Sequence, residues 1–299
     1  MTAQTQSEWL APIAPTGFGP RLLKLRKTAR LYPMGALGVI AIALVILVAL
    51  AAPLLAPYGP KVVGTGLPLD GPSGTHALGT DQLGRDLFSR LIYGSRVSIW
   101  VGFIAVGVAA SAGVPIGLLA GFRGGFIDAL LMRIVDAVIA FPALVLALAM
   151  VATFGSGIAI VMIAIGVAIM PQYARIVRAQ VLAVKQADYI LAARAIGAND
   201  LRLIARHIAP NVWAPVLVVA TLGLASAVVA EASLSFLGIG VKPPNPTWGN
   251  MLLDGFGQMQ NRPAMAIAPG VAIFVLVLSF NFVGDTLRDA LDPRLRGTR

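Results

Sequence analysis

Apolar residues in this chain come in long blocks, separated by shorter stretches that hold nearly all of the charge. A helix that crosses a bilayer needs about 20 mostly apolar residues, each adding about 1.5 Å. Six blocks reach that length: residues 32–57, 97–120, 129–153, 158–177, 212–232 and 263–283. The third and fourth share the interval between Asp136 and Arg175, which contains no Asp, Glu, Lys or Arg, and Gly155-Ser156-Gly157 marks the turn between them. Gly113-Val114-Pro115 in the second block fits either a kink or a close helix contact. The pattern predicts an all-α, polytopic membrane protein with six transmembrane helices.

The polar stretches are unequal. Two connections are longer than a turn needs, Tyr58 to Ser95 and Gly238 to Arg262. The second holds Lys242-Pro243-Pro244-Asn245-Pro246, a proline density that keeps a chain extended, followed by Trp248, which fits a headgroup-level or a partner-facing position. The stretch from Leu182 to Asn211 differs from both. Ile190, Ala193, Gly197, Leu201, Ile204 and Ile208 recur at spacings of three and four, and Arg194, Arg202 and Arg206 lie off that stripe. It is too charged to cross a bilayer and too apolar to stand free in water. Two short helices are expected, the first stopped at Gly197, the second capped by Asn199 with Asp200 in its first turn and stopped by Pro210. Such a pair is either a surface helix that joins two spans or a docking element for another protein.

Composition agrees with the pattern. Hydrophobic residues make up 58% of the 299-residue chain and charged residues 12%, with mean hydropathy +0.83. A soluble domain carries about 25% charged residues. The net charge of +10 raises the question of nucleic acid, but the basic residues flank apolar spans, as orientation signals do. With the N-terminus inside, Arg21, Lys24, Arg26, Lys27, Arg30, Arg123, Arg133, Arg175, Arg178, Lys185, Arg194, Arg202, Arg206, Arg288, Arg294, Arg296 and Arg299 are cytoplasmic, and only Lys61, Arg85, Arg90, Arg96, Lys242 and Arg262 are outside. Both termini are therefore expected in the cytoplasm. No cysteine is present, and the polar, basic first thirty residues do not read as a cleavable signal.

Candidate chemistry is sparse. There is no Gly-Lys-Ser/Thr phosphate loop and no Ser-His-Asp or paired-carboxylate arrangement, so neither an enzyme nor a cofactor is expected. His76 and His207 fall on opposite sides of the membrane and cannot share a metal. Asp136 and Glu231 are the acidic residues nearest the membrane interior, open to a gating role or to structural pairing near the span ends. A secondary transporter would need midplane ionisable residues or repeated halves, and an intramembrane enzyme a catalytic pair at depth; neither pattern is visible.

Ala192-Ala193-Arg194-Ala195-Ile196-Gly197, followed through Ile208 to Pro210, resembles the coupling-loop signature of ABC importer permeases. Leu191 stands where that signature often has glutamate, and Ala209 replaces the usual residue before the proline. His76-Ala77-Leu78-Gly79-Thr80-Asp81-Gln82-Leu83-Gly84-Arg85-Asp86 is similar to an outer-loop motif of the dipeptide and oligopeptide permeases. Glu231 through Gly238, Pro246 through Gly249, and Phe280 through Arg294 resemble the same family, in its second permease subunit, the DppC/OppC type.

The resemblance implies a type I ABC importer permease in the bacterial inner membrane. It implies one translocation path shared with a second, different permease subunit, two cytoplasmic ATPases that hydrolyse the ATP, and an extracytoplasmic substrate-binding protein. Peptides are the implied cargo, with nickel complexes and glutathione-like thiols as alternatives. The chain then divides into a cytoplasmic tail (1–30), a first helix with its outer loop (31–96), a permease core (97–290) containing the coupling loop (182–211), and a cytoplasmic tail (291–299). Ala192, Ala193, Gly197, Asp200, Ile208 and Pro210 would form the ATPase-coupling element. His76, Gly79, Asp81, Gly84, Arg85 and Asp86 would form either a local turn and ion-pair network or a contact for the binding protein.

Overall fold

The computed structural model describes residues 31–291, so the tail 1–30 and the end of the chain from residue 292 lie outside the described residues. Among the described residues five helices are long and apolar enough to cross a membrane on their own, and one bent helix pair has the length and composition for a sixth span. In chain order the helices are α1 (Pro33–Leu50), the short α2 (Ala52–Leu55), α3 (Leu87–Arg123), α4 (Gly125–Ile139), α5 (Ala143–Phe154), α6 (Ile158–Lys185), α7 (Asp188–Ala195), α8 (Asp200–Leu203), α9 (Ala209–Phe236), α10 (Trp248–Phe256) and α11 (Ala264–Leu291). Among the described residues there is no strand, only an isolated bridge between Thr80 and Asp86.

α3 and α6 form the central pair. Gly113, Gly117 and Gly121 lie one turn apart on α3, and a Cβ on any of them would run into α6 at Met170 and Tyr173, Ala174 and Val177, or Val181. This row of small residues lets two backbones approach, which is how helices associate where lipid removes the hydrophobic drive. The helix runs unbroken through Pro115, so the Gly-Val-Pro motif serves close contact. At the outer end α3 starts at Leu87, where Asp86 accepts a hydrogen bond from Ser89 N (2.7 Å) as N-cap. Its 37 residues reach ~55 Å, well beyond a ~30 Å hydrocarbon layer, so the first turns stand outside the membrane.

The third block is not one straight helix. α4 and α5 meet at an angle of 84° across Ala140-Phe141-Pro142. Proline disfavours helical geometry at the residue before it and supplies no N–H to the preceding turn, so the helix ends and restarts there. α5 runs beside α6, while α4 crosses the inner ends of α3 and α6.

A second expectation also fails. Pro210 does not stop the helix before it; the chain continues from α8 through a π-helical turn, Ile204–Ile208, straight into α9. In that wider turn Ala209 N bonds to Ile204 O, five residues back. The missing proline N–H and the ring are then accommodated at the start of α9.

Candidate functional site

The inner segment is built by local rules. α7 ends in a Schellman motif: Ala198 N bonds to Ala193 O and Gly197 N to Arg194 O, both at 3.0 Å, with Gly197 at φ +89°. Asn199 Oδ1 accepts from Arg202 N at 2.9 Å and caps α8, and Asp200 sits in its first turn. Ile190, Leu203 and Ile208 are buried with Phe122, Val177, Val181, Val184, Val212 and Val216, which fixes the segment to the inner ends of α3, α6 and α9. Lys185 Nζ donates to Phe122 O at 2.5 Å and lies over that ring.

The outward face is different in kind. Ile196 is 88% exposed and Leu201 76%, with Tyr189 and Leu191 also open. Arg194, Asp200, Arg202 and Arg206 surround them, all exposed. Of the residues expected to act here, Ala192, Gly197, Asp200 and Pro210 are exposed, Ala193 is half-buried and Ile208 is buried. The apolar stripe read from spacing is therefore split. Ile190 and Ile208 face inward, Leu201 faces out, and Leu203 takes the inward position that spacing assigned to Leu201.

The outer loop is a folded polar knot. Asp81 Oδ1 accepts from Leu83 N (2.8 Å) and Arg85 N (3.0 Å), and its Oδ2 accepts from Arg85 Nε (2.6 Å) with Arg90 Nε at 3.5 Å. His76 Nδ1 lies 2.9 Å from Asp86 Oδ1, its Nε2 lies 3.2 Å from Thr65 O, and its ring stacks on Tyr58. Gly79 has φ +82°, and a Cβ there would collide with Asp70 O. Gly84 also has positive φ, packed against Gly66. His76, Asp81, Arg85, Asp86 and Arg90 are all buried. Their side chains are spent on one another and on backbone, while Lys61, Val62, Val63, Leu67, Asp70, Gln82 and Leu83 are among the residues left open. The knot is tied to the second outer loop by Arg262 Nε, which donates to Leu69 O (2.7 Å), and by Arg85 to Asp254 (3.9 Å).

Trp248 is neither at a lipid surface nor facing outward. It is buried against Gly94, and its indole N–H donates to Leu91 O at 2.9 Å, pinning α10 to α3. Glu231 is fully buried beneath α10: Ser235 Oγ donates to its Oε1 at 2.7 Å, the Thr247 side chain lies against the carboxyl, and Oε2 has no hydrogen-bond partner. Asp136 on α4 accepts from Arg175 on α6 at 2.7 Å, with both side chains about half exposed. Asp128 was not singled out by sequence reasoning. It accepts Arg178 Nε and Nη2 at 2.5 and 2.6 Å, a two-pronged pair. The available signal was a pair of acids, Asp128 and Asp136, at the start of the third block and a pair of arginines, Arg175 and Arg178, at the end of the fourth.

Comparison with known proteins follows the same lines. The family described as binding-protein-dependent transport system inner membrane component matches residues 113–297. The dipeptide transport system permease protein DppC of Alkalihalophilus pseudofirmus is 43% identical over 259 residues, 87% of this chain and 85% of that one. The glutathione transport system permease protein GsiD of Pectobacterium atrosepticum is 46% identical over 227 residues, 76% and 75% of the two chains. Among solved structures, an inward-facing MetNI methionine ABC transporter has the same fold, with TM-score 0.57 at 19% identity over 69% of this chain and 98% of that one.

Proposed function

Since the chain belongs to the family of binding-protein-dependent transport system inner membrane components, we propose that it lines a peptide path and is driven through its α7–α8 segment by cytoplasmic ATPases. The exposed face of that segment carries the reading. An apolar centre (Leu191, Ile196, Leu201) ringed by arginines and Asp200 has the core-and-rim make-up of a protein interface. It stands on a buried base, so a push on it reaches α3, α6 and α9 as a rigid displacement. The basic-residue bias supports a cytoplasmic N-terminus, and in that orientation this face lies beside the ATPases and the polar knot outside, beside a substrate-binding protein. A second, different permease subunit completes the path.

Peptide cargo is supported by the dipeptide permease relative, and the glutathione permease relative makes a γ-linked tripeptide the second candidate. Uptake of a labelled alanyl dipeptide, challenged with excess unlabelled glutathione, separates the two. The coupling role is tested by Gly197→Val. The position has open space around it but φ +89°, which a β-branched residue resists, so the change alters the α7–α8 angle without a clash. Uptake is expected to be abolished while the chain reaches the membrane in normal amount. Normal uptake in that variant overturns the role.

A further inference from the structure

α4 lies across the inner ends of α3 and α6, yet it is weakly rooted there. Only Val135 among its side chains is buried, while Phe126, Leu130 and Ile134 are open. Its firm attachments are polar and go to one helix: Asp128 grips Arg178 with both oxygens, and Asp136 takes Arg175 less than one turn away on α6. Arg178 sits between Val177 and Val181, two of the buried residues on which Ile190, Leu203 and Ile208 of the inner segment rest. The other end of α4 runs into the 84° elbow at Phe141-Pro142, beyond which α5 packs along α6 towards the outer side.

We infer that Asp128 and Arg178, with Asp136 and Arg175 in support, form the link through which displacement of the α7–α8 segment drags α4 and turns the α4–α5 elbow. The inference rests on the coupling reading above and adds a second lever to it. Geometry gives the reason. A bidentate carboxylate–guanidinium pair fixes angle as well as distance, so α4 follows rotation of α6 rather than sliding on it. The elbow has no continuous backbone ladder to resist bending, because Pro142 supplies no donor across it. A shift at the inner end of α6 is thereby delivered to α5, which the apolar contacts of α4 alone would not achieve.

This chain has no native cysteine, so spin labels on introduced cysteines report on it alone when the full importer is assembled with cysteine-free versions of its partners. One label pair joins Ala137 on α4 to Lys242 in the second outer loop; another joins Arg202 on α8 to Lys242. Between the nucleotide-free and ATP-bound states both distances are expected to change by about 2 Å or more. In Asp128→Asn the Arg202 distance should still change while the Ala137 distance does not, and dipeptide uptake per ATP hydrolysed should fall roughly tenfold. The exchanged variant Asp128→Arg with Arg178→Asp should restore both; the retained Arg202 change in Asp128→Asn is the result that a merely folding-related role does not predict. If α4 stays still in the native protein, or moves unchanged in Asp128→Asn, the link is refuted. If the Arg202 distance itself never changes, the coupling reading fails, and the link with it.

Discussion

The polar knot before α3 and the α7–α8 segment both carry charge and both lie between apolar helices, yet they treat that charge oppositely. In the knot, Asp81, Arg85 and Arg90 are buried against one another and Asp86 against His76 and Ser89 N, so the buried charges are matched within the chain. In the inner segment, Arg194, Arg202 and Arg206 are exposed, and the chain's own core takes only Ile190, Leu203 and Ile208. The first settles its buried charges internally; the second leaves its apolar centre in solvent. A dense motif in sequence can thus mark self-stabilised architecture, and a sparser one an unfinished surface.

The largest expected effect is on the knot. Asp81→Ala removes the acceptor shared by two buried guanidinium groups, and taking one partner from a buried pair costs about 3–5 kcal/mol. The melting temperature of the purified chain should drop sharply, with proteolysis beginning between Tyr58 and Asp86. If the variant melted like the native protein, the knot would not be self-stabilised and the contrast with the inner segment would collapse.

Next in size is a pair of changes two residues apart. Leu203→Ala empties a fully buried site and should cost about 2–5 kcal/mol of stability. Leu201→Ala removes an exposed side chain, which should alter stability by no more than about 0.5 kcal/mol. The second change should instead weaken ATPase association about tenfold, measured by co-purification at graded concentration. Equal thermal shifts in the two variants would mean that the faces have been assigned wrongly.

That same pair shows where sequence reasoning reaches and where it stops. The Gly197 terminus and the Asn199 cap were legible because each is decided within a few residues by backbone conformation and one side chain. Leu203 was not, because the break at Gly197 and the widened turn at Ile204–Ile208 shift the register that a uniform helical period assumes. The elbow was hidden because Pro142 was the only glycine or proline between Asp136 and the turn at Gly155, and one proline does not distinguish a kink from a break. The all-helical membrane class and five of the six spans were legible, since they depend on block length alone. The knot's residues were visible as a motif, but the pairing of His76 with Asp86 and the closure onto Arg262 and Asp254 depend on chain return from distant positions. Asp128 and Arg178, fifty residues apart, meet for the same reason.

The smallest effect tests the edge of the knot. Partial burial on α10 pushes the Asp254 carboxyl above its ordinary value of 3.8, against the pull of Arg90 and Arg85 and with some help from the charge of Asp81. A carboxyl whose folded value is raised favours the fold while protonated. That contribution is full below the ordinary value and is lost as pH rises through the folded one. Asp254→Asn, which is neutral throughout, should therefore flatten the fall in melting temperature expected from this group between about pH 4 and neutrality. The change should be slight, because the side chain is 41% exposed and water screens it. At neutral pH the variant should be no less stable than the native chain, since Arg85 keeps Asp81, with its shorter and better-aligned bond. A marked loss of stability would instead make the 3.9 Å contact with Arg85 a structural pair, and extend the self-satisfied network from the first outer loop into the second.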